Sequence, residues 1–273
     1  MKFRIAAILT TLLLICSPVL AADSGGLYQI STIDALLDGS YDGQATFAEL
    51  AKHGDFGLGT VDKLNGEMVG IDGKFYQITV DGKVHAIPPA MTTPFANVTF
   101  FKPAFTFDCP AGLDYQALKK AIEKKLPSPN LFYAIRVDAP FAYVRVRSVP
   151  GVSKRPYPKL VNIVKRQKVY EFQNIAGSLV GFYCPAFVKG VNVPGFHLHF
   201  IGEKRQKGGH LLGLTTKACK VQVATLNRLN LVLPTKGDFL QRKLGADMSH
   251  QLEKVEKDRP RLGLPRRSGN AAQ

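Results

Sequence analysis

The stretch Gly195–His210, GFHLHFIGEKRQKGGH, constrains the fold more than any other. His197 and His199 stand two residues apart, interleaved with Phe196, Leu198 and Phe200. Side chains alternate across a β-strand, so a strand here turns both imidazoles to one face and the apolar residues to a core. The polar run GEKRQKGG that follows ends in two glycines and reads as a turn returning the chain as a hairpin that carries His210. A third imidazole then lies beside the first two. Three neutral imidazoles suit zinc or another first-row divalent ion, and three protein ligands leave positions open for water or substrate, the pattern of a catalytic rather than a structural site. The plainer alternative is a polar strand face that needs no ion. Against it stand the clean alternation and the absence of any paired-cysteine motif that would compete for a metal.

The first residues, MKFRIAAILTTLLLICSPVLA, place Lys2 and Arg4 before an apolar run that closes on small residues, the form of a secretory signal peptide over residues 1–21. The run is short for a membrane span, and Ile15 before Cys16 argues against a lipid anchor. The expectation is a periplasmic or secreted protein with no membrane contact after cleavage. Cys109, Cys184 and Cys219 remain, and their spacing supports no disulfide. Cys219 alternates with Val221 and Val223, which places it on a buried strand. The formal charge is +15, or +13 once Lys2 and Arg4 are removed. Residues 257–273 hold five basic residues against one acidic, and Pro260 and Pro265 break any pattern, so a disordered basic tail is expected. With no recognition helix and no stacking-aromatic motif, the charge implies attraction of small anions rather than nucleic-acid binding.

Elsewhere strands outnumber helices. Ser31–Leu37 predicts a short helix capped by Ser31, and Thr46 with Glu49 forms a capping box opening a second helix that stops at Gly54. Asp72-Gly73 and Asp81-Gly82 divide alternating runs and predict hairpins. Val98–Phe101 and Phe105–Phe107 read as strands, and Asp114 caps an amphipathic helix ending near Pro127. Leu131–Val149 reads as two strands turned near Asp138–Pro140, with Tyr143, Arg145 and Arg147 on one face of the second. Two guanidiniums so placed either clasp a carboxylate or lie on a solvated edge. Beyond a helix at Lys159–Gln167 come strands at Val169–Phe172 and Ser178–Tyr183, the histidine hairpin, Cys219–Val223, Leu229–Leu233 and a closing helix at Ser249–Glu256. The expected class is α+β with mixed, mainly antiparallel sheets, as an N-terminal sheet domain (22–158) and a C-terminal metal-binding sheet domain (159–256) divided near Pro156 and Pro158.

Four stretches in a fixed order carry a family resemblance: HGDFGLGTVDKLNGEMVGIDGKFYQI from His53 to Ile78, RSVP from Arg147, GSLVGF from Gly177, and GFHLHF with its GGH. Together they resemble α-acetolactate decarboxylase from about Tyr28 to Glu256. The resemblance implies a two-domain α/β fold with its active site in a cleft, a homodimer, and conversion of 2-acetolactate to acetoin and carbon dioxide without an organic cofactor. It implies zinc on His197, His199 and His210, and catalytic groups at Glu67, Arg147 and Glu256, with Glu253 competing for the C-terminal position and Thr60 lining the pocket. Asn65-Gly66 precedes Glu67, a departure from the family's usual DGE-type hairpin. Losing carbon dioxide from a 2-hydroxy-3-oxo acid sends an electron pair toward the neighbouring ketone, where a Lewis acid stabilises the growing charge. In such a site Arg147 holds the departing carboxylate, while Glu67 and Glu256 share proton transfer and orientation. His53, His85 and His250 have no partner at useful spacing and read as structural or exposed.

Two other readings compete. A cupin also has an HLH pair followed by a glutamate four residues on, the position of Glu203, but His210 comes only eleven residues after His199 with no second motif around it. A secreted metal-binding or carbohydrate-binding module without catalysis is the other. The absence of tryptophan weakens its sugar-stacking form, and a metal carrier has no use for Glu67 and Arg147 in one cleft.

Overall fold

The computed structural model describes residues 25–256, so the expected signal segment and basic tail lie outside the described residues. The chain opens with β1 (Gly26–Ile30), α1 (Ile33–Leu37), β2 (Ala45–Thr46) and α2 (Phe47–Leu50). It continues through β3 (Phe56–Thr60), β4 (Glu67–Ile71), β5 (Lys74–Ile78), β6 (Val84–Ala86), β7 (Thr92–Thr93) and β8 (Ala96–Thr99). Then follow β9 (Phe105–Cys109), α3 (Tyr115–Glu123), β10 (Phe132–Ser148), α4 (Leu160–Ile163) and β11 (Lys168–Cys184). The last elements are β12 (Gly195–Gly202), β13 (Gly208–Thr216), β14 (Cys219–Leu226), β15 (Arg228–Val232) and α5 (Ser249–Glu256).

Two large sheets result, ordered β15-β1-β8-β3-β4-β5-β6 and β11-β12-β13-β10-β14-β9. Among the described strands the pairing of β1 with β15 is parallel and the rest are antiparallel, which makes the fold α+β with mixed, mainly antiparallel sheets. The sheets face each other over a shared core, with Phe56, Leu58, Val69 and Ile78 from the first against Phe132, Val180, Phe182 and Ile201 from the second. A third cluster gathers α1, α4 and α5 around Val149, through Leu37, Ile163 and Val255. Sheet membership changes between β8 and β9, and β15 returns to the first sheet, so the expected break at residue 158 does not coincide with a change of sheet.

Local chemistry accounts for most boundaries. Asp72 and Gly73 both hold positive φ, 52° and 73°, the conformation a tight two-residue hairpin needs between β4 and β5. Thr46 caps α2 and Asp114 caps α3, each through a side-chain oxygen accepting from the backbone three residues on. At α1 the cap is Thr32 and not Ser31, because Ser31 sits at φ 61° with its N–H given to Val232, leaving Thr32 extended to accept from Ala35. The helix expected at Lys159–Gln167 is the short α4 followed by one 3-10 turn.

The turn expected near Asp138–Pro140 is absent: β10 runs unbroken for 17 residues and pairs with β11 from Tyr133 to Ser148. Pro140 sits opposite Ala176 of β11, and on its other side, toward which its carbonyl points to accept from Lys217, it falls between the end of the β14 pairing at Asp138 and the start of the β13 pairing at Phe141, so neither of those ladders calls for its missing N–H. What happens next to it is a bulge. Before Ala142 the odd residues Tyr133 to Phe141 enter the core on the outer side of the second sheet; after it the even residues Val144 and Val146 do. The irregularity exchanges the two faces. Arg147 is thereby turned toward the first sheet.

Candidate active site

The two sheets contribute different parts of one site. From the second come the histidines, with His199 directly opposite His210 in the β12–β13 hairpin and His197 two residues before on the same face. Their rings form a near-equilateral triangle, with centroids 5.1, 5.1 and 5.3 Å apart, and one nitrogen from each lies within 4.8 Å of the other two. All three are buried. Burial holds His197 down at about pKa 3, the nearby Arg147 charge adding to it, and holds His199 and His210 well below the ordinary imidazole value. The rings are therefore neutral near pH 7, as ligands must be.

From the first sheet comes Glu67, at the start of β4 and paired with Thr60 across the hairpin. The Thr60 hydroxyl donates to the Gly66 carbonyl at 2.7 Å, and Gln77 donates to the Asn65 carbonyl at 2.6 Å, so the turn that carries Glu67 is tied on both sides. Gly66, at φ 89°, has the Ile78 carbonyl oxygen 2.2 Å from where a Cβ would stand, which only glycine accepts. The neighbouring Met68 carbonyl accepts from His199 Nδ1 at 2.8 Å, so one sheet fixes the ring orientation of the other.

Arg147, delivered by the bulge, donates from Nη1 to Glu67 Oε1 at 2.8 Å and from Nη2 to the Val255 carbonyl at 3.4 Å. Glu67 Oε2 lies 3.7 Å from His199 Nε2. Glu256 closes the opposite side, with Oε2 3.5 Å from His210 Nε2 and 3.9 Å from His197 Nε2. Burial pushes both carboxyls up to about 7 while the Arg147 charge pulls each back. Between these groups lies a cavity of about 40 Å³, also lined by Thr60. Beside it opens a second of about 620 Å³, lined by Tyr115 and Lys119 of α3, Leu212 and Leu252; His210 and Glu256 border both.

The structure thus gathers His197, His199, His210, Glu67, Arg147, Thr60 and Glu256 at one place. Between the C-terminal alternatives, Glu256 reaches the histidines, whereas Glu253 lines the outer cavity alone. Of the two guanidiniums that could have clasped a carboxylate together, Arg147 enters the site and Arg145 is paired with Glu171 at 3.4 Å. Glu203, the residue a cupin would need, is exposed in the β12–β13 turn. His53 stacks on Tyr28 at 3.8 Å and faces Glu49, away from the site. The Met68 carbonyl and Tyr115 were not legible in sequence: one is backbone, and the other is a helix residue placed by packing alone.

Comparison with known proteins gives the family. The sequence pattern of the family described as alpha-acetolactate decarboxylase matches residues 27–246. The chain belongs to that family. The alpha-acetolactate decarboxylase of Methanosarcina mazei is 48% identical over 231 residues, covering 85% of this chain and 80% of its own, and that of Bacillus subtilis strain 168 is 41% identical, covering 84% and 90%. The crystal structure of alpha-acetolactate decarboxylase from Bacillus subtilis strain 168 superposes with a TM-score of 0.83 at 40% identity, covering 85% of this chain and all of that one. A Staphylococcus aureus protein described as similar to alpha-acetolactate decarboxylase superposes at 0.79 with 29% identity. The family pattern stops at residue 246, and Glu256 lies beyond it on α5, whose geometry brings that carboxylate to the histidines.

Proposed function

We propose that this chain converts 2-acetolactate to acetoin and carbon dioxide at a divalent ion, zinc before other first-row metals, held by His197, His199 and His210. The observation that carries the reading is the meeting of three buried neutral imidazoles with the Glu67–Arg147 pair and Glu256 in a chain of this family. The donor set fits an ion on its own evidence. His199 gives its Nδ1 to the Met68 carbonyl, which assigns the ring proton there and leaves Nε2 buried with no hydrogen-bond partner; His197 Nδ1 is likewise buried without one. Buried nitrogens left unpaired cost free energy unless something binds them. When bound, the ion supplies a Lewis acid that stabilises charge growing on oxygen as carbon dioxide leaves.

The chain's own groups do the rest. The inner cavity has room for water rather than for a branched five-carbon acid, so the body of the substrate lies in the outer cavity and reaches the histidines past Glu256. Arg147, which lines the inner cavity beside the histidines, takes the carboxylate, and its planar fork can hold a second oxyanion while keeping Glu67. Glu67 and Glu256, both near pKa 7, can each carry a proton at neutral pH and surrender it to the carbon that lost carbon dioxide. Delivery from one fixed side makes a single enantiomer of acetoin. Leu212 and Leu252 in the outer wall suit the two methyl groups and keep bulk water off the reacting carbon.

The test is acetoin formation from racemic 2-acetolactate, before and after a chelator and again with zinc restored. Turnover that vanishes with the ion and returns with it is the expected result; a folded, zinc-loaded protein without turnover overturns the reading. Export is part of the same proposal, with residues 1–21 as the signal, and N-terminal sequencing of the mature protein checks it. So is a homodimer, which its mass in solution tests.

A further inference from the structure

Away from the decarboxylase site, two cysteines face each other. β9 is the outermost strand of the second sheet, and its last residue, Cys109, is in register with the first residue of β14, Cys219. Directly opposed residues of an antiparallel pair have Cα atoms about 4.5 to 5.5 Å apart, inside the span of about 4.4 to 6.8 Å that disulfides bridge. Burial raises both thiols above their ordinary value, Cys219 to about 12; a hydrogen bond from the Cys219 thiol to Cys109 partly offsets this at Cys109 and adds to it at Cys219, so Cys109 is the one that ionises first. Both side chains are buried, at 4% and 6% exposure, but they sit at the rim. Pro110, Ala111 and Gly112 after one, and Lys217 and Ala218 before the other, are exposed. Fraying one end of an edge strand admits a reagent without opening the core.

We propose that Cys109 and Cys219 form a dithiol that closes to a cross-strand disulfide by exchange with a disulfide donor. The Cys109 thiolate attacks one donor sulfur and releases the other as a thiolate; the Cys219 sulfur then attacks Cys109 in the mixed disulfide and expels the second. One donor S–S bond breaks, one protein S–S bond forms, and the two thiol protons go to the departing thiolates. The link closes the loop Pro110–Ala218, roughly a hundred residues long, and long loops gain most from closure. That loop contains α3, β10 and the histidine hairpin, so the staple holds one wall of the outer cavity to the sheet that carries the ligands. Cys184, buried at the end of β11 in the core between the sheets, serves as an internal control.

The experiment treats the purified protein with oxidised glutathione, alkylates remaining thiols under denaturing conditions, and maps peptides by mass. The expected product is a Cys109–Cys219 link, lighter by two hydrogens, with Cys184 alkylated. The thermal midpoint rises on oxidation and returns on reduction. Cys219→Ser is expected to stop at glutathione on Cys109; if that variant does not fold, Cys184→Ala, which retains the pair, is expected to form the link unchanged. Three alkylated thiols after prolonged oxidation, or glutathione on both cysteines without a link, overturns the proposal.

Discussion

Arg147 has two duties that substitution separates. Its guanidinium neutralises the buried Glu67, and it faces the inner cavity where the substrate carboxylate is proposed to bind. Arg147→Ala strands a buried carboxyl and is expected to cost roughly 3–5 kcal/mol in denaturant unfolding, beyond any loss of activity. Glu67→Gln is different, because the amide carbonyl still accepts from Arg147. It is expected to fold normally and lose about 10²- to 10⁴-fold in kcat. Full turnover with unchanged product chirality in Glu67→Gln would show that Glu67 moves no proton. These residues were unequally legible. His197 and His199 announce themselves by alternation, whereas Glu67 and Arg147, 80 positions apart, meet only because two sheets pack. No local pattern marks such a pair: the strand face offered Arg147 only as one of two guanidiniums, and the family resemblance alone joined it to Glu67.

Elements explain why the misread stretch matters. Leu131–Val149 reads as two strands because proline usually ends a ladder and because its apolar parity changes midway. Both signals are real, but a bulge inside one strand produces them as well as a turn does. Without that bulge Arg147 would face the outer core in place of Val144 and Val146. The returning strand β13 is equally constrained. Gly209 holds φ 145°, and a Cβ there would stand 2.5 Å from the Arg147 carbonyl oxygen. Gly209→Ala must push β13 away from β10 and carry His210 out of the triangle. A stability loss on the order of 1–3 kcal/mol is expected from the overpacking. Zinc affinity, read by competition with a coloured chelator, is expected to fall with it. Native affinity in a folded Gly209→Ala protein would mean that β13 tolerates the shift without moving its histidine.

For the whole molecule, the site's ionisation couples folding to pH and to metal in opposite senses. The histidines have lowered folded pKa values, so the stability tied to their neutral form is present above the unfolded value of 6.5 and is lost as pH falls, for His197 toward about 3. Glu67 and Glu256 have raised values, so their contribution is present below the unfolded 4.5 and is lost as pH rises through about 7. The metal-free protein is thus squeezed from both sides. A bound divalent ion changes only one of these. The folded histidines are already neutral and release no proton to accept it near pH 7, but the two carboxyls, while protonated, lack the negative charge that attracts it. The ion therefore binds more tightly as pH rises through about 7 and offsets the alkaline loss, by mass action on the folded state. Thermal midpoints measured against pH, with zinc and with chelator, are expected to diverge across that range, the loaded protein gaining most above it. Parallel curves would mean that neither carboxyl feels the ion, and Glu67 and Glu256 would then have to act on the substrate from outside the field that the three histidines create.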